Sequence, residues 1–158
     1  MVTLEEITII RAPIGRCFDL SRSIELHMKS TERTGEAAVA GVTSGLIGLG
    51  EEVTWRARHF GIEQTMTVRI TAFDSPNYFQ DRMVRGAFRF FEHEHWFVER
   101  GDGTQMRDVL RFAAPVRVLG LAVEPVLRGY LRRFLRERNL VIKEMAEGDG
   151  WRRFLVGF

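Results

Sequence analysis

The sequence predicts an α+β domain. A curved antiparallel sheet, preceded by two short helices, is crossed by one long C-terminal helix that encloses a cavity against it. Three observations predict this. Strand-like segments between residues 51 and 113 are joined by turns too short for a crossover, so each strand lies antiparallel to the last. From Val116 the apolar spacing changes to a helical one. The composition, 45% hydrophobic and 28% charged over 158 residues, is that of one domain large enough to bury a core.

Val2 to Arg11 reads as a strand rich in Ile and Thr, stopped by Pro13. Between Pro13 and Thr31 the apolar residues Ile14, Cys17, Phe18, Leu20, Ile24, Leu26 and Met28 suit two short helices. Pro13 fits the first helical position, and Ser21 or Ser23 the cap of the second helix. "GEAAVAGVTSGLIGLGEEV" then reads as a weak strand and a glycine-rich loop. Strands follow near Glu51–Phe60, Ile62–Asp74, Asn77–Arg85, Arg89–Arg100 and Thr104–Ala113, turning at "FG", "DSPN", "RGAF" and "GDG". Pro125 is expected to divide the last stretch into a short lead-in and a main helix of about 22 residues, about 33 Å long. Val126, Leu127, Tyr130, Leu131, Phe134, Leu135, Val141, Ile142 and Met145 form its apolar face, ended by Gly148 and Gly150. Residues 1–147 make the domain. Residues 148–158 are a tail, expected to be loose as termini are.

Turn geometry sets the register. A two-residue Phe60-Gly61 turn pairs His59 with Ile62, Ala57 with Gln64 and Trp55 with Met66. A two-residue Asp102-Gly103 turn pairs Phe97 with Asp108, His95 with Leu110 and His93 with Phe112. A three-residue turn at Gly86 to Phe88 sets Asp81 opposite His93 and Met83 opposite Phe91. Opposed residues share a face, and these pairs assemble one mostly apolar face around His93 and His95. A helix about 10 Å wide cannot cover a strongly curved sheet of this many strands, which leaves space between them. Phe73, Phe88, Phe90 and Trp96 fall on the other face, a patch suited to self-association as a homodimer.

Several classes are excluded. A net charge of +2, spread along the chain, does not point to nucleic acid despite a pI near 9.1, and no nucleic-acid-binding signature is present. No apolar run nears the roughly 18 residues that span a bilayer, so no stable membrane insertion is expected. The start, "MVTLEEITIIRAP", is acidic where an export signal is basic. Cys17 is the only cysteine, which rules out an intramolecular disulfide, fits a cytoplasmic location and suits a small buried hydrophobe. "GLIGLG" lacks the lysine and following helix of a phosphate-binding loop, and reads as a flexible hairpin loop at the cavity mouth.

The element order, with "LGEEVTWRARHFGI", "VRGAFRFFEHEHWF", "MRDVLRFAAP" and "ERNLVIKEM", resembles the START/Bet v1-like (SRPBCC) superfamily, and within it bacterial stand-alone ligand-binding SRPBCC domain proteins. The resemblance runs from Ile7 to Met145. It implies the helix-grip fold and a hydrophobic cavity for lipids, polyketides, hormones or other apolar molecules. Some members are cyclases or dehydratases; others only bind or carry.

Trp55, Met66, Phe79, Met83, Phe91, Phe97 and Leu110 from the sheet, with Tyr130 and Phe134 from the helix, are the expected lining. Gln64, Asp81, His93, His95 and Asp108 are the polar groups on the same face, with Asp81 opposite His93 and Asp108 diagonal to His95. A carboxylate beside a buried imidazole orients it and favours its charged form. The set reads in three ways: a polar ladder fixing register, an anchor for a ligand's polar end, or a general base with its carboxylate. His-x-His beside an aspartate has the elements of a metal site. Without further His or Cys at a recognised spacing no metal and no cofactor is expected. Arg128, Arg132, Arg133 and Arg136 read as a solvated helix face, partly offset by Glu137.

The leading expectation is therefore binding or carriage of a hydrophobic small molecule, without catalysis. The alternatives are a polyketide cyclase/dehydratase-like enzyme using His93 or His95 as general base, and an interaction module acting through the outer aromatics and the tail.

Overall fold

Strand β1 (Val2–Ile10) leads into helices α1 (Ile14–Ser21) and α2 (Ile24–Ser30), a 3₁₀ turn (Glu32–Thr34) and strand β2 (Ala37–Gly41). A meander follows: β3 (Glu52–His59), β4 (Ile62–Asp74), β5 (Tyr78–Arg85), β6 (Phe90–Arg100) and β7 (Gly103–Ala113). Helix α3 (Arg117–Glu147) and the short α4 (Arg152–Leu155) complete the chain. The computed structural model describes residues 1–115 and 117–155, the side chains of residues 117–121 excepted. Val116, where the helical period was expected to begin, and the tail's Phe158 lie outside the described residues. All seven strands are antiparallel in the order β1-β7-β6-β5-β4-β3-β2, so the first strand closes the far edge of the meander. This is the helix-grip arrangement.

Local chemistry accounts for the elements. Ser23 caps α2 by accepting from the Leu26 N–H, and Pro13 precedes α1 as its N-cap rather than its first residue. Phe18 on α1 is fully buried and meets Phe73, Phe79 and Phe97 edge-on at 5.3–5.5 Å, anchoring the short helices to the sheet. Cys17 is buried in the same cluster. Glu6 of β1 receives Arg132 and Arg136, each at 3.1 Å, so that arginine row straps α3 to the edge strand instead of facing only water.

Five expectations give way to the structure. The β6–β7 turn is Gly101-Asp102, not Asp102-Gly103, so Phe97 faces Met106, His95 faces Asp108 and His93 faces Leu110. Gly101 supplies the left-handed turn conformation at φ 56°, while Gly103 is needed inside β7, where a Cβ would lie 2.3 Å from the Ile10 carbonyl oxygen. The slip is two residues, so every side chain keeps its face. Register shifts between Ile70 and Ala72 turn Phe73 inward, opposite Phe79. Phe88 also points inward, against Phe91 and Phe112, so only Phe90 and Trp96 remain of the outer patch. Pro125 does not divide α3; it lies on the exposed side, where water can reach the carbonyl it leaves unpaired. The glycine loop is pinned rather than free, with Gly45 bonded to Glu25 and Ile24, and Ile47 to the Arg22 carbonyl. Trp151, Phe154 and Leu155 of the tail pack on the core, with Arg16 stacked 4.3 Å above Trp151.

The two glycines separate by size of effect. Gly103→Ala drives a Cβ into the β1 backbone and is expected to cost more than about 3 kcal/mol. Gly101→Ala meets open space and is expected to cost only the left-handed strain, about 1–2 kcal/mol. Urea unfolding of both variants reads the difference.

Candidate functional site: a two-ended cavity

Helix α3 packs against β1, α1 and α2, burying Leu135, Ile142 and Ala146 in its C-terminal half. Its N-terminal half stands off from the curled strands β3 to β6, and a cavity of about 490 Å³ lies beneath it. Val126 is 61% exposed yet lines this space, marking an opening beside the helix. The walls are apolar: Trp55, Met66, Val68 and Ile70 on one side, Phe79, Phe91 and Leu110 on another, with Leu127, Leu131 and Phe134 overhead. All four histidines of the chain line it.

The inner end is built on Asp108, whose side chain is fully buried. It faces His93 Nε2 at 2.8 Å and accepts from Asn139 Nδ2 at 2.7 Å, with Arg138 Nη1 at 3.7 Å. Arg138, itself buried, also donates to the Ser21 carbonyl and to Asn139. The second pair is His95 Nε2 with Asp81 at 2.9 Å, the His95 ring stacked 4.0 Å from Phe79. The shorter bonds run diagonally across the ladder: Asp81 is opposite His93 but binds His95, and Asp108 is opposite His95, whose Nδ1 lies 3.3 Å away, but pairs more closely with His93.

Burial would raise the Asp108 carboxyl, but hydrogen bonds from His93 and His95 and the Arg138 charge hold it well below the usual carboxylate range. Asp81 is lowered in the same way, chiefly by His95 against the cost of burial. His93 is lowered by burial and by His95, which together outweigh its bond to Asp108. A neutral His93 beside an ionised Asp108 donates from Nε2, which leaves Nδ1 as a bare acceptor. That nitrogen has no partner among the described residues, and His93 keeps 11% of its side chain exposed in the lining.

A second polar group sits at the other end. Glu36, just before β2, faces His27 Nε2 at 2.5 Å and His59 Nε2 at 3.7 Å. His59 Nδ1 lies 2.6 Å from the Tyr130 hydroxyl on α3, and the His27 ring packs 4.1 Å from Trp55, tilted by 31°. Burial lowers His59, against the pull of Glu36. The row through His93 and Asp81 continues to Ile70, whose N–H meets the Glu51 carbonyl just before β3, whereas His59 closes the far end of that strand. A small annex of about 50 Å³ opens here between Glu36, His59 and Gln64.

Of the residues the sequence singled out, Trp55, Gln64, Met66, Phe79, Asp81 and Phe91 line the cavity, as do His93, His95, Leu110, Tyr130 and Phe134. Three do not. Phe97 is spent in the Phe18 cluster, Asp108 lies behind His93, and Met83 is off the wall. His27, Glu36, His59 and Arg138 were missed. His59 was visible in the alternation Trp55, Ala57, His59, and Arg138 in the helical step from Phe134; nothing local marks Glu36. Asp81, His93 and His95 bring one donor atom each within 4.8 Å, a set that can hold a metal ion. Here Asp81 is bonded to His95, and His93 to Asp108.

No family model matches the chain, and no curated protein matches it by sequence. Solved structures do. Protein TTHA0849 from Thermus thermophilus is similar with a TM-score of 0.76 at 16% identity, covering 92% of this chain and 97% of its own. Ginseng major latex-like protein 151 from Panax ginseng gives 0.67 at 17% identity, over 93% and 98%. A START superfamily protein from Mycobacterium smegmatis gives 0.67 at 12%, over 92% and 97%. The fold is START/Bet v1-like.

Two outcomes are expected of the inner network. Asp108→Asn leaves Arg138 buried without its counter-charge and should cost about 3 kcal/mol in urea unfolding. His93 and His59 have folded pKa values below their ordinary 6.5, so the unfolded chain takes up protons that the folded chain refuses. Stability is therefore complete above about pH 6.5 and falls as pH drops through the folded values, then again below about pH 4 as Asp81 and Asp108 protonate. The urea midpoint followed from about pH 8 to about pH 2 shows both steps, and His93→Gln shrinks the first.

Proposed function

We propose that the chain binds or carries a hydrophobic small molecule between the sheet and the N-terminal half of α3. The observation that carries this reading is the cavity's make-up, apolar along its walls with polar side chains gathered at its ends. Apolar walls supply affinity by removing a guest's surface from water, at about 25 cal/mol per Å², and few placed polar groups orient it. A closed core has no use for the space, since an empty apolar void forfeits packing. The START/Bet v1-like fold supports the reading, as do apolar residues left beside the opening, Phe60 among them.

One observation favours a second reading, a cyclase/dehydratase-like enzyme. His93 lines the cavity with its pKa lowered by burial, is held at Nε2 by Asp108 and has no partner for Nδ1 among the described residues, which is the disposition of a general base. In that case a substrate is turned over at a rate that falls about 100-fold or more in His93→Gln.

Binding is tested by fluorescence titration with Nile red, a neutral lipophilic dye. Saturable binding at one site per chain is expected, weakened about tenfold or more by Leu131→Trp, which fills the cavity from α3. An equal affinity in that variant, with its unfolding transition intact, places the dye elsewhere and contradicts the proposal.

A further inference from the structure

We infer that the guest is electrically neutral and elongated, with a hydroxyl group at each end of an apolar body. The inference rests on the binding reading and adds what the polar atoms of the two ends select.

The inner end asks for a hydrogen-bond donor. His93 Nε2 is committed to Asp108, and the remaining Nδ1 offers only a lone pair. A guest hydroxyl satisfies it; an ether or ketone oxygen does not. At the other end the annex of about 50 Å³ has room for one small polar substituent, since a water molecule's share of liquid volume is about 30 Å³. Glu36 and His59 lining it are partnered with each other and with His27 and Tyr130. Gln64 is different. It lines both the annex and the main cavity, and its side-chain amide has no partner among the described residues. An amide both donates and accepts, which matches a hydroxyl. Between the ends the walls are Met66, Val68, Ile70 and Phe79, which offer nothing polar.

Charge decides against the commonest apolar metabolites, those ending in a carboxylate. Two arginines line the described cavity, and both are engaged. Arg22 is held by Asp19 and the Ile47 carbonyl. Arg138 is held by the Ser21 carbonyl, Asn139 and, at 3.7 Å, Asp108. The acids are closer to a guest: Asp81 and Glu36 are in the lining, and Asp108 stands directly behind His93. A carboxylate pushed to either end would be desolvated beside like charge with no uncommitted cation among the described residues to meet it.

The experiment is displacement of Nile red at about pH 8, where a simple carboxylic acid is ionised, by three chains of equal length. Dodecanediol, with a hydroxyl at each end, is expected to bind about fivefold or more tighter than dodecanol, and dodecanoate about tenfold or more weaker than dodecanol. Gln64→Met, close in volume, should bring the diol's advantage over dodecanol down to about onefold; Gln64→Leu serves if that variant does not fold. Dodecanoate binding as well as the alcohols overturns the neutrality of the guest. A diol no better than dodecanol, or a preference unchanged in both variants, overturns the second hydroxyl. If Nile red itself does not bind, the binding reading fails and this inference with it; if all three chains compete equally, binding stands and only the selection fails.

Discussion

The structure depends on one buried carboxylate. Asp108 has no contact with water, and an ion so placed survives only when its lone pairs are taken by donors. It obtains them from two elements that would otherwise meet through apolar surface alone: His93 on the neighbouring strand, and Asn139 with Arg138 on the long helix. The carboxylate thus fixes where α3 crosses the sheet, and with the Ser21 carbonyl it ties α1 to the same point. A helix shifted by one turn would leave both Arg138 and Asp108 uncompensated.

The cavity follows from that fixed crossing. The C-terminal half of α3 is committed to β1 and the short helices, so its N-terminal half passes over strands that curl away beneath it. Among the described residues, what joins this half to the sheet beyond the apolar walls is the polar contact of Tyr130 with His59, with Phe60 packed 4.6 Å from the tyrosine ring. The same carboxylate sets the chemistry of the inner end. By holding Nε2 it decides which nitrogen of His93 is left without a protein partner, and because it is ionised that nitrogen is an acceptor. One residue thus fixes both a helix crossing and the tautomer of a histidine, as carboxylates behind histidines do elsewhere.

Much of this was legible in the chain, for reasons that can be stated. The strands from Glu52 to Ala113 were readable because alternation and short turns constrain each other, and the Phe60-Gly61 turn fixed the β3–β4 register correctly. The Asp-Gly signal misled at β7, since Gly103 was needed for the close approach of β1, a contact more than 90 residues away in sequence. The two-residue slip left every side chain on its face and so spared the site, while moving Asp108 from opposite Phe97 to opposite His95. The bulge that turns Phe73 inward had no local mark. Arg138 carried no local mark of its role, because an arginine on an apolar helix face looks like an edge residue until its carboxylate is seen. Glu36 and His27 come together with His59 only through the packing of α2 and β2 against β3.

The polarity of the inner end can be read directly from the nitrogen chemical shifts of His93 in a ¹⁵N-labelled sample near pH 7, assigned by comparison with His93→Gln. A neutral ring protonated at Nε2 is expected, with an unprotonated Nδ1 at the far downfield shift of a bare lone pair. An imidazolium, or a ring protonated at Nδ1, would show that Asp108 does not present the acceptor on which recognition at this end is built.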